Sequence, residues 1–256
     1  MPRKRNSAEK AHSPEGASVT LVGAGPGHPS LLTVAALRAI EGAEVILYDE
    51  LISEEILALA PPHAERINVG KRGHRPSCKQ ADINAEIVKH AYAGRRVVRL
   101  KGGDPSIFGR GGEEIAACVA AGVGVAIIPG ITSAQAAAAR LAVSLTHRDL
   151  ARRVQFITGH DRHGHVPADI NWDAIADRNA TTVIYMPLKT LPEITERAMK
   201  GGLPPGTPAV AMANATRPDE KTVRSTVAEI AAELTREPPD GPLIVMIGEV
   251  FRSEES

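Results

Sequence analysis

Fourteen residues from Lys101 to Glu114, KGGDPSIFGRGGEE, enclose an Asp-Pro step between two glycine pairs and carry the charged pair Asp104 and Arg110. An apolar run (Val97, Val98, Leu100) enters this segment, and a helical pattern from Glu113 to Ala121 leaves it. A strand that ends in Gly102-Gly103-Asp104 exposes unpaired main-chain N–H and C=O groups that nothing bulky covers, so a polar small molecule can lie against them. An ordinary tight turn needs only one or two glycines, roughly. Four of them with a charged pair predict a ligand loop.

Two further loops have related chemistry. Gly23-Ala24-Gly25-Pro26-Gly27 follows a short apolar run and precedes a helix whose start is marked by Ser30 and Thr33. A dinucleotide fingerprint would place its third glycine at position 28, which is His28, and Pro26 removes an N–H that would cradle a pyrophosphate. This predicts a glycine loop for something other than a dinucleotide; a chain bend without ligand contact stays open. Pro129-Gly130-Ile131-Thr132-Ser133 joins a strand to an alanine-rich helix that Thr132 or Ser133 can cap, which alone would explain those residue types. In a parallel sheet, however, ligands gather beyond the carboxyl ends of the strands, and the Gly23, Gly102 and Gly130 loops all fall on that edge. Together they favour one bound molecule.

Asp49 closes the run Leu47-Tyr48-Asp49 on the same edge, where a turn or cap residue would look alike. Gly70-Lys71-Arg72-Gly73, extended by His74 and Arg75, is a basic knuckle whose default is a solvated charge run unless an anionic ligand is implied independently. The stretch from His160 to His165 holds three histidines, but no second cluster completes a coordination sphere, so no metal is expected. No G-x-S-x-G elbow supports a serine nucleophile.

These residues must be positioned by an alternation of short strands and helices. Strands are predicted at Ser18 to Val22, Val45 to Tyr48, Arg96 to Leu100 and Val125 to Ile128, with helices at Leu31 to Ile40, Asp82 to Tyr92, Glu113 to Ala121 and Ala134 to Leu141. That pattern predicts an open, mostly parallel α/β sheet. After Leu145-Thr146-His147-Arg148-Asp149 the strands at Val154 to Ile157, Thr182 to Tyr185, Ala209 to Met212 and Leu243 to Ile247 are spaced by longer loops, two of them rich in Gly and Pro. Thr222 and Val223 are expected to return as a hairpin on the Ala209 to Met212 strand, making the second sheet mixed. The expected organisation is a disordered tail at 1–17, an N-terminal α/β domain at 18–135, a C-terminal α/β domain at 136–250 and a tail at 251–256, with the active-site cleft between the domains.

Composition narrows the function. The chain has 256 residues, enough for two modest domains, and its 30 Lys+Arg balance its 30 Asp+Glu, so no global basic field draws it to nucleic acid. Three Phe, three Tyr and one Trp leave few platforms for base stacking. Cys78 and Cys118 have no zinc spacing and are read as free thiols of a reducing compartment. The first 17 residues lack the apolar core of a signal peptide and no run is long enough for a membrane span, so a cytoplasmic protein is expected.

Val22 to Gly27, Leu47-Tyr48-Asp49, Gly70-Lys71-Arg72, Arg99 to Pro105, Ile107 to Glu114, Pro129 to Thr132, Leu145 to Asp149 and Thr158-Gly159-His160 together closely resemble the uroporphyrinogen-III C-methyltransferases of the tetrapyrrole methylase family. The resemblance runs from about residue 18 to 250 and is most specific at the Gly102 and Thr146 segments. It implies a two-domain α/β homodimer that binds S-adenosyl-L-methionine, releases S-adenosyl-L-homocysteine, and methylates uroporphyrinogen III at C2 and C7 to precorrin-2, toward sirohaem or cobalamin. A precorrin methylase acting at another ring position is the nearest alternative, and a nucleotide-dependent oxidoreductase a more distant one. Carried over by position, Pro26, Gly102, Gly103, Asp104, Ile107, Thr132, Ser133, Met186 and Ala215 would contact the cofactor. Asp49 would accept a proton, Lys71 would donate one, and Arg110 would lie near the substrate, whose carboxylates Lys71, Arg72, Arg110 and Arg148 would hold. The sequence departs from the usual pattern at His28, Ser106, Ser133, Pro187 and Ala215, where Asp, Phe, Ala, Gly and Gly are common. No dehydrogenase or ferrochelatase module is expected, which would leave later sirohaem steps to other proteins.

Overall fold

The computed structural model describes residues 18–70 and 79–252. Lys71, Arg72, His74, Arg75, Cys78 and the expected N-terminal tail lie outside the described residues. The chain divides into two compact units, Met1–Thr132 and Ser133–Ser256.

The first unit contains β1 (Val19–Gly23), α1 (Val34–Glu41), β2 (Val45–Tyr48), α2 (Glu54–Leu57), β3 (Glu65–Asn68), α3 (Gln80–Tyr92), β4 (Val97–Lys101), α4 (Gly111–Ala120) and β5 (Val125–Ile128). The strands form one sheet in the order β3-β2-β4-β1-β5, with every pairing parallel. Alternation along β2 and β4 sends Ile46, Val98 and Leu100 to the face covered by Ala36 and Ile40 of α1 and by Ile56 and Leu57 of α2. Val45, Leu47 and Val97 go to the other face, against Ile83 and Ile87 of α3 and Cys118 of α4. Both faces are covered, so the inner strands read as nearly continuous apolar runs. The helix expected from Leu31 starts later. A 3-10 turn occupies Pro29–Leu31, and Thr33 then caps α1 by accepting a hydrogen bond from Ala36 N at 3.1 Å.

The second unit contains α5 (Ser133–Leu141), β6 (Arg153–Thr158), α6 (Trp172–Ala176), β7 (Ala180–Tyr185), α7 (Leu191–Lys200), β8 (Pro208–Ala213), β9 (Lys221–Thr226), α8 (Ile230–Arg236) and β10 (Leu243–Ile247). Its sheet order is β6-β7-β10-β8-β9, with β6 and β7 parallel and the other pairings antiparallel, so the sheet is mixed as the sequence predicts. The expected hairpin is β8–β9, with Met212 opposite Thr222 and Ala211 opposite Val223. The division between the units falls at the start of α5, because Ala134 and Ala137 pack with Val183, Val210, Met212 and Met246 of this second sheet. Phe251, read from the sequence as the start of a tail, is buried in the same cluster through a 3-10 turn at Glu249–Phe251. Among the described residues no helix is long and apolar enough to cross a membrane.

Candidate functional site

Parallel pairing brings the carboxyl ends of β1, β4 and β5 to one edge of the first sheet, and there the three glycine loops lock together. Gly25 N donates to Gly103 O at 3.1 Å and Gly103 N donates to Gly25 O at 2.7 Å, while Ala24 N reaches Lys101 O at 2.8 Å. Gly130 N donates to the Asp104 Oδ2 carboxylate oxygen at 2.9 Å. Asp104 Oδ1 accepts from Ser106 N at 2.8 Å and from the Ser106 hydroxyl. The sequence expectation that Gly103 leaves its N–H and C=O unpaired is therefore corrected: both are taken by Gly25.

Close approach explains several of the glycines. A Cβ on Gly23 would stand 2.5 Å from Gly130 N, and one on Gly130 would strike Gly103 O and lie 2.8 Å from Gly23 Cα. Gly102 is limited by the Leu51 side chain, whose Cβ would be 2.9 Å away. Gly103 differs: its φ of +67° favours glycine, yet nothing stands within 4 Å of where a side chain would be. The space in front of the Gly103 Cα is therefore uncovered, although its N–H and C=O are both engaged by Gly25. Pro26, next to Gly25, and Thr132, two residues after Gly130, are buried, and Ile107 is half-buried with its N–H on Asp104 O at 3.2 Å.

The segment after Ile107 is strained. Phe108 and Arg110 adopt left-handed conformations, at φ 48° and 56°, although neither is glycine. Arg110 stands at the head of α4 with its side chain exposed, and its guanidinium donates to both carboxylate oxygens of Glu113, at 2.7 and 2.8 Å. That pairing raises the Arg110 pKa further.

Asp49 follows β2 at the same edge and is half-buried. Its Oδ1 accepts from Leu51 N at 3.1 Å, and its Oδ2 accepts from Arg99 Nη2 at 3.1 Å. Arg99 leads inward to a group that sequence reasoning missed. Arg99 Nε donates to Glu114 Oε1 at 3.0 Å, and Lys101 Nζ donates to Glu114 Oε2 at 2.9 Å. Glu114 is fully buried, while Arg99 and Lys101 are each 4% exposed. Burial, followed by the neighbouring Arg99 charge, lowers the Lys101 pKa; the Glu114 carboxylate opposes the shift. The available signal was two cations at alternate positions of an otherwise apolar strand, which places both on one face.

In the second unit β6, β7 and β8 run in the same direction, so their carboxyl ends share an edge. Gly159 N donates to Tyr185 O at 2.7 Å, and Gly159 O accepts from Thr190 Oγ1 at 2.6 Å. Met186, just past β7, is left-handed at φ 55° and 42% exposed. Ala215 is buried between two left-handed residues, Asn214 and Thr216, but does not itself have a positive φ, so an alanine stands there without backbone strain. Asn214 is pinned by donating from Nδ2 to Asp219 Oδ2 at 2.8 Å and to Asp240 O at 2.9 Å. Arg148 is exposed in a loop closed by mutual hydrogen bonds between His147 and Ala151, and Ser133 opens α5. The histidine loop is organised by Asp161, whose Oδ1 accepts from His165 N at 3.0 Å and His163 N at 2.7 Å. Among the described residues no group of three or more His, Cys, Asp or Glu is arranged to hold a metal ion.

Residues 18–231 match the family model of tetrapyrrole (corrin/porphyrin) methylases. The chain is 44% identical over 238 residues to a uroporphyrinogen-III C-methyltransferase of Sinorhizobium sp, covering 93% of this chain and 85% of that one. It is also 44% identical over 237 residues to a siroheme synthase of Gluconacetobacter diazotrophicus, covering 93% of this chain and 50% of that one. The chain thus spans about half the length of the siroheme synthases it matches. The fold matches that of a uroporphyrin-III C-methyl transferase from Thermus thermophilus complexed with S-adenyl homocysteine, with a TM-score of 0.77, 37% identity, and coverage of 91% of this chain and 97% of that one.

Proposed function

The chain belongs to the tetrapyrrole (corrin/porphyrin) methylases, and from that premise we propose that it transfers methyl groups from S-adenosylmethionine to uroporphyrinogen III at C2 and C7, giving precorrin-2. The observation that carries this reading is the 44% identity to a uroporphyrinogen-III C-methyltransferase across 93% of this chain. A cofactor site at the rim of the first sheet is supported by the uncovered space where a Gly103 side chain would otherwise stand. Pro26, Gly102, Gly103, Ile107, Thr132, Ser133, Met186 and Ala215 are the residues proposed to hold it. Asp104, with both carboxylate oxygens engaged by its own loop and Gly130, would act by holding that loop in shape.

When bound, the cofactor supplies a sulfonium methyl that is already a strong electrophile toward an electron-rich pyrrole carbon. The protein's work is then mainly positioning, an effect that supplies about 7–11 kcal/mol in favourable cases. Asp49 would accept the proton lost from the methylated macrocycle, with its carboxylate steadied by Arg99 and Leu51 N. Uroporphyrinogen III is a polycarboxylate, and Arg110 and Arg148 are exposed cations suited to hold it, joined by Lys71, a proposed proton donor, and Arg72. The same reading carries a homodimer working in the cytoplasm, with a small-molecule substrate and no nucleic-acid partner. The equal totals of acidic and basic residues support the last point.

Anaerobic incubation with uroporphyrinogen III and isotopically labelled S-adenosylmethionine, followed by mass analysis, tests the proposal. Precorrin-2 bearing two labelled methyl groups is expected. Absence of label in the tetrapyrrole, with the cofactor bound, would overturn it; label at another ring position would move the protein to a different member of the family.

A further inference from the structure

Three inward positions of β4 on the face covered by α3 and α4 read Val97, Arg99, Lys101, so the apolar face turns ionic as it approaches the rim. An ion network in that place is a poor way to gain stability, because burying charge costs much of what pairing returns. Apolar residues like those of neighbouring Leu21 and Leu47 would serve packing as well. What the network achieves is geometric. The Arg99 guanidinium is fixed along three directions: Nε to Glu114 Oε1 at 3.0 Å, Nη1 to Leu100 O at 2.7 Å, and Nη2 to Asp49 Oδ2 at 3.1 Å. Glu114 is fixed in turn by Lys101 at 2.9 Å and by Gln80 Nε2 at 3.4 Å. A chain of rigid contacts therefore runs from the wholly buried Glu114 to the half-buried Asp49.

We propose that Glu114 and Arg99 are positioning residues for methyl transfer: Glu114 locks the Arg99 guanidinium, and the guanidinium holds the Asp49 carboxylate in the orientation that receives the proton. This inference rests on the proposed methyl transfer and on Asp49 as its proton acceptor. Lysine cannot replace arginine here, since one ammonium cannot span two carboxylates and a carbonyl in a fixed plane.

The test is a cycle of wild type, Arg99→Lys, Asp49→Asn and the double variant, followed by kcat, KM for uroporphyrinogen III, Kd for S-adenosylhomocysteine, and the urea midpoint. Arg99→Lys is expected to lower kcat about 10-fold or more while KM and Kd stay within about 2-fold, and to cost less than about 2-fold further when Asp49 is already Asn. Wild-type kcat in Arg99→Lys, or losses that multiply in the double variant, would overturn the proposal, because a merely structural defect does not vanish when its neighbour is removed. Should Arg99→Lys fail to fold, the charge-balanced pair Glu114→Gln with Lys101→Met replaces it in the cycle, with the same non-multiplying loss expected. The urea midpoints need no substrate: Asp49→Asn is expected to shift the midpoint less than half as much in the Arg99→Lys background as in wild type, and equal shifts refute the coupling. A wild-type protein that does not methylate uroporphyrinogen III would defeat the functional reading, while the urea cycle would still decide whether these residues act as one unit.

Discussion

Asp49 has two held oxygens and a half-exposed position at the sheet edge, so replacing it removes a proton acceptor without opening a void. Asp49→Ala is expected to bind S-adenosylhomocysteine as wild type does and to lower kcat by about 10²–10⁴, the range of general-base contributions. Titration calorimetry beside steady-state turnover checks it; unchanged turnover removes Asp49 from the mechanism. A second residue offers a pH test. Hydrogen bonds from His165 N and His163 N hold the Asp161 carboxyl below the ordinary aspartate range, the first being the larger cause. A carboxylate whose folded value is depressed stabilises its loop fully above the unfolded value and loses that contribution as pH falls through the folded value. Hydrogen exchange at the His163 and His165 amides, corrected for its intrinsic pH dependence, is therefore expected to lose protection on strong acidification, and Asp161→Asn to flatten that change. At this scale the sequence was legible where residue type and place coincide, as with Asp49 and Asp104 at strand ends. Arg99, Lys101 and Glu114 were not legible, because a written sequence does not tell which charges are buried together. Lys71 and Arg72 lie outside the described residues and stay proposals from resemblance.

Among the elements, the loops after β1, β4 and β5 act as one structure because their backbones touch. Gly130→Ala would press a methyl into the Gly103 carbonyl and the Gly23 backbone, neither of which can rotate away. The expected cost is about 1–3 kcal/mol, seen as a lowered urea midpoint together with weaker S-adenosylhomocysteine binding. Gly112→Ala is the matched control: nothing stands within 4 Å of that position, which is helical, so a gain of about 0.4–1 kcal/mol in stability is expected. Equal effects at both sites would show that the rim does not depend on close glycine contact. The same loops show how far pattern reading reaches. The alternation of apolar runs and helical spacing was enough to derive β1, β2, β4, β5 and their parallel direction, since a strand covered on both faces must be apolar throughout. It passed over β3, whose polar sequence Glu65–Asn68 belongs to an edge strand with two exposed residues, and α2 and α6, which are four and five residues long. It also passed over α7, where Leu191, Ile194, Thr195 and Ala198 do have helical spacing. Pro192 lies in its first turn, where proline is tolerated because its missing N–H would have had no helical partner.

For the whole molecule the informative number is the balance of 30 basic against 30 acidic residues. A neutral protein has no long-range field to gather a polyanion, so affinity for uroporphyrinogen III must come from a few exposed cations acting within about 8–10 Å, the screening length at moderate salt. Arg110 is suited to this. Its pairing with Glu113 lies on the surface, where an ion pair contributes only about 0–1 kcal/mol, so a substrate carboxylate can displace Glu113 at small cost. The cofactor, by contrast, is expected to rest on main chain and apolar side chains at the first rim, which salt screens little. The two ligands should therefore separate by ionic strength. Between about 50 and 300 mM salt, KM for uroporphyrinogen III is expected to rise several-fold while Kd for S-adenosylhomocysteine changes less than about 2-fold. Arg110→Gln and Arg148→Gln should each raise KM at low salt and flatten its slope, leaving cofactor affinity intact. If neither substitution alters the slope, substrate recognition lies elsewhere in the chain; if cofactor affinity falls with salt in parallel, the division between a main-chain cofactor rim and a cationic substrate grip is wrong.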